Sequence, residues 1–562
     1  MRRFSSVPAL GLLFLSRPVA AQAGGTDTTY RAVDRVFAAF RDTDAPGCAL
    51  GVSKEGRTIY ERGYGMANLE TGTPIRPSSI FHVASVSKQF TATAIMLLAR
   101  DGKLSVDDNI RKYLPEIPDY GTPITIRHLL THTSGLRDQW ELIGLARGRF
   151  EEDRITEADV MDIVPRQKAL NFKPGDEYLY SNTGFTLLAV IVKRVSGQSL
   201  RDFADARIFK PLGMTSTHFH DDYTMLVPNR TSAYQPRGSS WRVSVPNFDV
   251  YGATSLFTTA GDLLKWENNF DKPVVGDRAL FKQMETQARL TNGDSTGYGF
   301  GLSMGTYRGA RVIEHNGADA GYRSYAGRFP EQGLAIAIAC NTSTANTTGL
   351  ARGVADVYLA SALAPATTVA SNAGNDVAQQ AVAVPAASLA KRVGTYIQPT
   401  TRTIVELIAR DGKLYQSRAP NAPPLVALAE DRFRSETGRV AVFRAGEHAG
   451  FDVNIPGAPR PTPYEWRPPI VASRSTLAPY AGEYFSDEVN ARYVVSVATD
   501  STIALRTGTS SPMVARPVFL DGFLGGGYTI EFTRKNGQVS GFEVTNGRMR
   551  RVRFDRVAGA GK

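Results

Sequence analysis

A serine hydroxyl attacks a carbonyl only when a base takes its proton, and a lysine can be that base when burial keeps its amine neutral. Ser85-Val86-Ser87-Lys88 offers both groups in the S-x-x-K spacing, which on a helix sets Ser85 and Lys88 on one face within reach of each other. At a helix start the backbone dipole also favours the negative charge that develops on the attacked carbonyl. Tyr180-Ser181-Asn182, within GDEYLYSNTGF, adds a phenol able to relay a proton and an amide able to accept from a lysine and to hold a substrate amide. His315-Asn316-Gly317 ends a β-rich run, and Gly317 is expected to let a substrate backbone come close. Taken singly, each triplet also has a structural use: Ser85 and Asn182 as helix caps, Tyr180 and His315 as packed side chains.

Together, in this order, and with the phrases FHVASVSKQFTA, HLLTHTSGL (His128 to Leu136), IFKPLGMTST (Ile208 to Thr217) and LFTTAGDLLKW (Leu256 to Trp266), they resemble the serine β-lactamase and penicillin-binding-protein-like superfamily, in its class C branch with D,D-peptidases, D-aminopeptidases and esterases. The resemblance covers about Tyr30 to Leu359. It implies Ser85 as nucleophile, Lys88 as its activating partner, Tyr180 as proton relay, Asn182 as the amide-holding residue and His315 to Gly317 as the third motif. It also implies an oxyanion hole from the N–H groups of Ser85 and Ala318. The first and last strands of such a sheet are antiparallel neighbours, which brings Cys48 near Cys340 and leaves open whether they are bonded.

Two positions depart from the family pattern. Many β-lactamases carry Lys-Thr-Gly where this chain has His315-Asn316-Gly317, so a permanent positive charge is replaced by a side chain that is mostly neutral above pH 6.5 or so. That favours peptidase or esterase work over β-lactam hydrolysis. Thr254-Ser255 stands where relatives often have two glycines, which implies a narrower wall.

The expected activity is acyl transfer to water on amides or esters, with small peptides containing D-residues as the leading substrates. An esterase or weak β-lactamase is the nearest alternative, and an inactive cell-wall-peptide binder the alternative of another class. No cofactor or metal is expected. The cluster His218, His220, Asp221 and Asp222 lacks the third histidine of a catalytic zinc site and reads as an exposed polar loop.

These side chains need a scaffold, and the patterning supplies an α+β one. A hairpin from Cys48 to Tyr64 turns at Lys54-Glu55-Gly56-Arg57, and a buried helix from Lys88 to Arg100 stops at Asp101-Gly102. A mostly helical stretch runs to about Phe270, including Asn182 to Ser196 and Ser199 to Phe209. Strand-like runs follow at Tyr298 to Met304, Ala310 to His315, Gly321 to Phe329 and Leu334 to Cys340. The resulting β-lactamase-like domain, an antiparallel sheet with helices, spans 24–360. A linker at 361–388 leads to two small all-β, barrel-like (lipocalin-like) domains at 389–470 and 475–558.

Those two domains repeat one another. Leu389-Ala390, Gly394 and Tyr396 recur as Leu477-Ala478, Gly482 and Tyr484. Asp431-Arg432-Phe433 recurs as Asp521-Gly522-Phe523, and Gly450-Phe451-Asp452-Val453 as Gly541-Phe542-Glu543-Val544.

Residues 1–23 read as a secretory signal, with Arg2 and Arg3, an apolar run from Val7 to Leu15 and the cleavage site Ala21-Gln22-Ala23, so the protein is expected to be exported. No segment has the roughly 20 apolar residues of a membrane span. The net charge of +11 is dispersed, apart from Arg548 to Arg553, which reads as solvated surface; no nucleic-acid partner is implied.

Overall fold

The structure is a computed structural model and describes residues 27–148, 153–365, 381–416, 422–446, 448–455 and 460–557. The signal-like 1–23 and the middle of the linker lie outside these residues.

The first domain is built on a six-stranded antiparallel sheet in the spatial order Ser303–Tyr307, Ala310–Asp319, Tyr322–Phe329, Leu334–Cys340, Cys48–Lys54, Arg57–Tyr64. The adjacent strands Leu334–Cys340 and Cys48–Lys54 are buried on both faces, and side-chain size decides which face is which. Cys48, Leu50, Val52, Leu334, Ile336, Ile338 and Cys340 pack with residues of the helices Asp27–Val36 and Thr347–Tyr358. Ala49, Ala335, Ala337 and Ala339 face the larger core on the other side. Small residues there let the helix Ala260–Asn269 lie close: a Cβ on Gly51 would be 3.0 Å from Leu264. Cys48 and Cys340 are directly opposite in the ladder, 4.0 Å apart at Cα, and are disulfide-bonded.

The buried helix runs Ser87–Arg100 and packs on Asn182–Ser196, both close to their expected spans. The expected strand at Tyr298 to Met304 begins only at Ser303. Gly297 and Gly301 adopt φ of +70° and +71°, which breaks the strand. A Cβ on Gly301 would be 2.8 Å from the Lys88 carbonyl oxygen, so the chain turns there to pass over the helix. The middle region also holds short strands, among them Phe81–His82, Leu256–Thr258 and His218–Phe219 in one small sheet.

The C-terminal half contains two eight-stranded β units, of which only the second, Gly482–Ser486 through Val552–Arg556, closes into a barrel. In the first, among the described residues, no ladder joins the end strands Lys413–Tyr415 and Val426–Ala429, and an isolated bridge pairs Tyr415 with Pro424 just before the second of them. The repeat is physical. Gly394 and Gly482 adopt φ of +151° and +152°. The Tyr396 and Tyr484 hydroxyls donate to carbonyls four residues back, at 2.9 and 2.7 Å. The Asp431 and Asp521 carbonyls each accept from a strand N–H at 2.8 Å.

The ends of the expected linker belong to their neighbours: Leu363 is buried against the first domain, and Val382 N–H donates to Ala427 in the first β unit. The Arg548 to Arg553 stretch is only in part the solvated surface it was expected to be: Arg548 and Arg551 are exposed, and Arg550 is not. It lies at the seam between the closed barrel and the first domain, where Arg550 is buried and paired with Glu177. Arg137 and Glu488, 2% and 5% exposed, form an ion pair across the same seam.

Candidate active site

Ser85 sits one step before the helix proper, in a 3-10 turn from Ala84 to Val86 that feeds Ser87–Arg100. Ala84 takes φ of +47°, and the turn is pinned by Ser87, whose Oγ donates to the Ala84 carbonyl and accepts from Leu256 N–H at 3.0 Å. Ser85 is the one residue from Phe81 to Phe90 that is not fully buried. A raised turn of this kind presents the hydroxyl while the helix behind stays in the core.

Lys88 is fully buried, and its ammonium donates to Ser85 Oγ at 3.1 Å, Asn182 Oδ1 at 2.9 Å and the Ala253 carbonyl at 2.6 Å. Burial brings its pKa down to about 7, with Arg548 pushing the same way and the Asp138 and Asp319 carboxylates opposing. A lysine in that range is partly neutral at neutral pH and can take the Ser85 proton.

Tyr180 lines the cleft with Ser85, and its ring lies 4.8 Å from Lys88 Nζ. Burial pushes the phenol above its ordinary range, although Ser85 and Arg548 pull it down. Tyr180 therefore holds its proton at neutral pH, and of the two side chains Lys88 is the one able to accept one. The ring is fixed from behind by His132, centroids 4.2 Å apart; His132 Nδ1 accepts from Ser181 N–H at 3.2 Å.

Asn182 is oriented by Asp138, which was not foreseen. The Asp138 carboxylate accepts from Asn182 Nδ2 at 2.9 Å and from its backbone N–H at 2.7 Å, so Oδ1 faces Lys88. One Nδ2 hydrogen remains for the cleft that Asn182 lines.

His315 lines the cleft, but both ring nitrogens are in use. Nδ1 lies 2.7 Å from the Asn316 carbonyl, which can only accept, so Nε2 accepts from the Tyr298 hydroxyl at 2.9 Å. Burial, aided by Lys88, pushes its pKa down to about 3 and keeps it neutral. His315 holds the wall of the site and contributes no charge.

Gly317 does admit a backbone, but the protein's own. A Cβ there would overlap the Val83 carbonyl oxygen and the Ser324 hydroxyl, so glycine lets the Ser85 turn lie on the strand Ala310–Asp319. One residue on, Ala318 is exposed in the same cleft as Ser85. Ser255 takes φ of +72°, a left-handed conformation that glycine adopts at least cost, and the Thr254 hydroxyl lines the cleft and donates to Asp319 at 2.9 Å. Desolvation raises the Asp319 pKa to about 6 against that bond.

The cleft has a volume of about 540 Å³ and is bordered also by Trp140, Glu141, Phe248 and Arg548. Arg548 comes from the closed barrel and lies 5.1 Å over the Tyr180 ring. Its only sequence signal was the arginine cluster. The His218 to Asp222 stretch is not an exposed loop: His218 and His220 pack on Phe257 and Asp221 pairs with Arg201. Among the described residues no group of three or more His, Cys, Asp or Glu is arranged to hold a metal ion.

A family model described as Beta-lactamase matches residues 33–360. A penicillin-binding protein of Bacillus subtilis strain 168 is 31% identical over 296 residues, 49% of this chain and 63% of that protein. This chain thus spans less than two thirds of that relative's length. A D-aminopeptidase of Cereibacter sphaeroides strain KD131 is 24% identical over 551 residues, 94% of this chain and 99% of that protein. Among solved structures, the octameric penicillin-binding protein homologue from Pyrococcus abyssi shares the fold, with a TM-score of 0.52 at 20% identity over 94% of this chain and 99% of that one.

Proposed function

The chain belongs to the β-lactamase family, and from that premise we propose that it is a serine hydrolase that cleaves amide or ester bonds of small D-residue-containing peptides through an acyl-enzyme on Ser85. The observation that carries the reading is the Lys88 ammonium, buried, 3.1 Å from Ser85 Oγ and brought to a pKa of about 7.

In its neutral form Lys88 takes the Ser85 proton as Oγ attacks the substrate carbonyl. The oxyanion is received by the N–H groups of Ser85 and Ala318. The Tyr180 phenol, protonated and beside Ser85, donates to the departing nitrogen or oxygen and is reprotonated from Lys88. Water, losing a proton to the same pair, then attacks the acyl-enzyme, and the pair returns that proton to Ser85 Oγ as it leaves. The neutral His315 contributes no cation to the third motif, so the motif itself offers none to a substrate carboxylate. The likeness to a D-aminopeptidase over nearly the whole chain supports D-residue substrates.

The site of action in this proposal is outside the cytoplasm. The N-terminal charge and apolar pattern and the Cys48–Cys340 bond, of a type that persists in oxidising compartments, support it.

A fluorophosphonate probe should label the wild type and not Ser85→Ala. Turnover of D-aminoacyl amides, acyl-D-Ala-D-Ala, p-nitrophenyl esters and nitrocefin, measured side by side, then ranks the bonds cleaved. A wild type that neither labels nor turns over any of these overturns the reading.

A further inference from the structure

The loop Asn546-Gly547-Arg548 is held firmly and presents one side chain. Asn546 Oδ1 accepts from the N–H groups of Arg548 and Met549 at 3.0 and 2.9 Å, and its Nδ2 donates to Glu141. The Arg548 carbonyl accepts from Asn171 Nδ2 at 3.0 Å and Asp138 N–H at 3.2 Å. The backbone of Arg548 thus ties the barrel to the first domain, while its guanidinium makes no ion pair or hydrogen bond with a described residue and lies over the Tyr180 ring.

Acidic groups nearby are engaged elsewhere. Glu141 takes the Asn546 amide, Asp138 the Asn182 amide and Asp319 the Thr254 hydroxyl. Arg548 is the one arginine or lysine among the described residues bordering the cleft, since Lys88 lies beneath it with its three donors spent on Ser85, Asn182 and Ala253. His315 carries no charge because its nitrogens serve Tyr298 and Asn316. A planar guanidinium with open donors beside a nucleophile is matched to a carboxylate, which it can grip with two parallel hydrogen bonds.

We propose that Arg548 of the closed barrel is the receptor for a substrate carboxylate, so that the second β domain supplies from outside the fixed cation that the third motif lacks. This rests on the hydrolase reading of the cleft and narrows it to acyl-peptides ending in a free carboxylate. The barrel then acts as a specificity element as well as a stabilising one.

Binding of N-acetyl-D-alanyl-D-alanine and of its C-terminal amide to Ser85→Ala protein, measured by titration calorimetry, tests this without any chemistry. The carboxylate should bind in preference to the amide. That preference should fall about 10- to 100-fold when Arg548→Ala is added, the worth of a charge-assisted hydrogen bond, and be partly regained with Arg548→Lys. An unchanged preference in Arg548→Ala, a preference for the amide, or no binding of either ligand overturns the proposal. Failure of the wild type to turn over any substrate counts against the hydrolase reading instead, because the binding ratio does not depend on it.

Discussion

Asp138 acts on Lys88 through a single side chain: its carboxylate accepts from Asn182 Nδ2 at 2.9 Å, and Asn182 Oδ1 accepts from Lys88 Nζ at 2.9 Å. The relay fixes the asparagine's amide in the sense the lysine needs and places a negative charge one residue away from the base. Arg548 sits on the opposite side of the balance, and burial outweighs both.

The pH profile follows. In the proposed mechanism the active form of Lys88 is deprotonated, so kcat/KM should rise with pH and reach half its plateau near 7, where an ordinary lysine would give about 10.4. Asp138→Asn removes a charge that favours the ammonium and should move this midpoint down. Arg548→Ala removes one that disfavours it and should move the midpoint up. Shifts in the same direction would contradict the electrostatic assignment.

Lys88→Met should lower kcat/KM by about 100- to 10,000-fold, the usual worth of a positioned base. It should also raise stability at low pH. A lysine whose folded pKa is depressed from 10.5 to about 7 costs the fold its full penalty below pH 7, and the cost fades as pH climbs toward 10.5. The gain in melting temperature over wild type should therefore be larger at pH 6 than at pH 10.

Ser85, Lys88, Tyr180 and Asn182 were legible because each pair works within one turn or at one helix start, where spacing alone decides geometry. Asp138 and Arg548 were not. They reach the site by tertiary packing, the second from more than 350 residues away in sequence, and an arginine cluster reads the same whether it meets water or the Glu177 carboxylate at a domain seam. The misread strand at Tyr298 shows the converse: the run looked strand-like, but Gly301 had to bend over the Lys88 carbonyl, a contact no local pattern announces. The repeat disclosed two similar β units, whereas closure of one and not the other depends on whether the end strands pair.

Gly317→Ala should be costly out of proportion to one methyl group. The new Cβ would meet backbone at Val83, which cannot rotate away, so the Ser85 turn must lift from its strand. A loss of about 1–3 kcal/mol is expected, together with slower probe labelling of Ser85. Gly305→Ala on the neighbouring strand, with nothing within 4 Å of the added atom, is the control and should label at the wild-type rate.

Denatured but unreduced protein should titrate no free thiol, since Cys48 and Cys340 are joined. Cys340→Ser should cost about 2–5 kcal/mol in a denaturant melt, because the bond ties the first strand to the last across a separation of 292 residues. Probe labelling should survive at temperatures where the variant remains folded, as the bond lies on the face of the sheet away from Ser85. Thiols that react freely without reductant would contradict the assignment.

The seam between the closed barrel and the first domain gives the last prediction. Arg137 pairs with Glu488 in a nearly dry setting, and the same guanidinium donates to the carbonyls of Arg550 at 2.9 Å and Arg551 at 3.1 Å, just beyond Arg548. Removing one partner leaves a buried charge unpaired, so Glu488→Leu should cost about 3–5 kcal/mol. Replacing both, Arg137→Met with Glu488→Leu, should recover much of that loss, because burying two apolar groups avoids the desolvation of two ions. The double variant also frees the Arg550 and Arg551 carbonyls from their common donor. Its restored stability should therefore come with weaker discrimination between carboxylate and amide ligands than the wild-type seam gives, measured by the same calorimetric ratio. Stability and discrimination recovering together would mean that Arg137 only holds the domains in contact and does not set the position of Arg548.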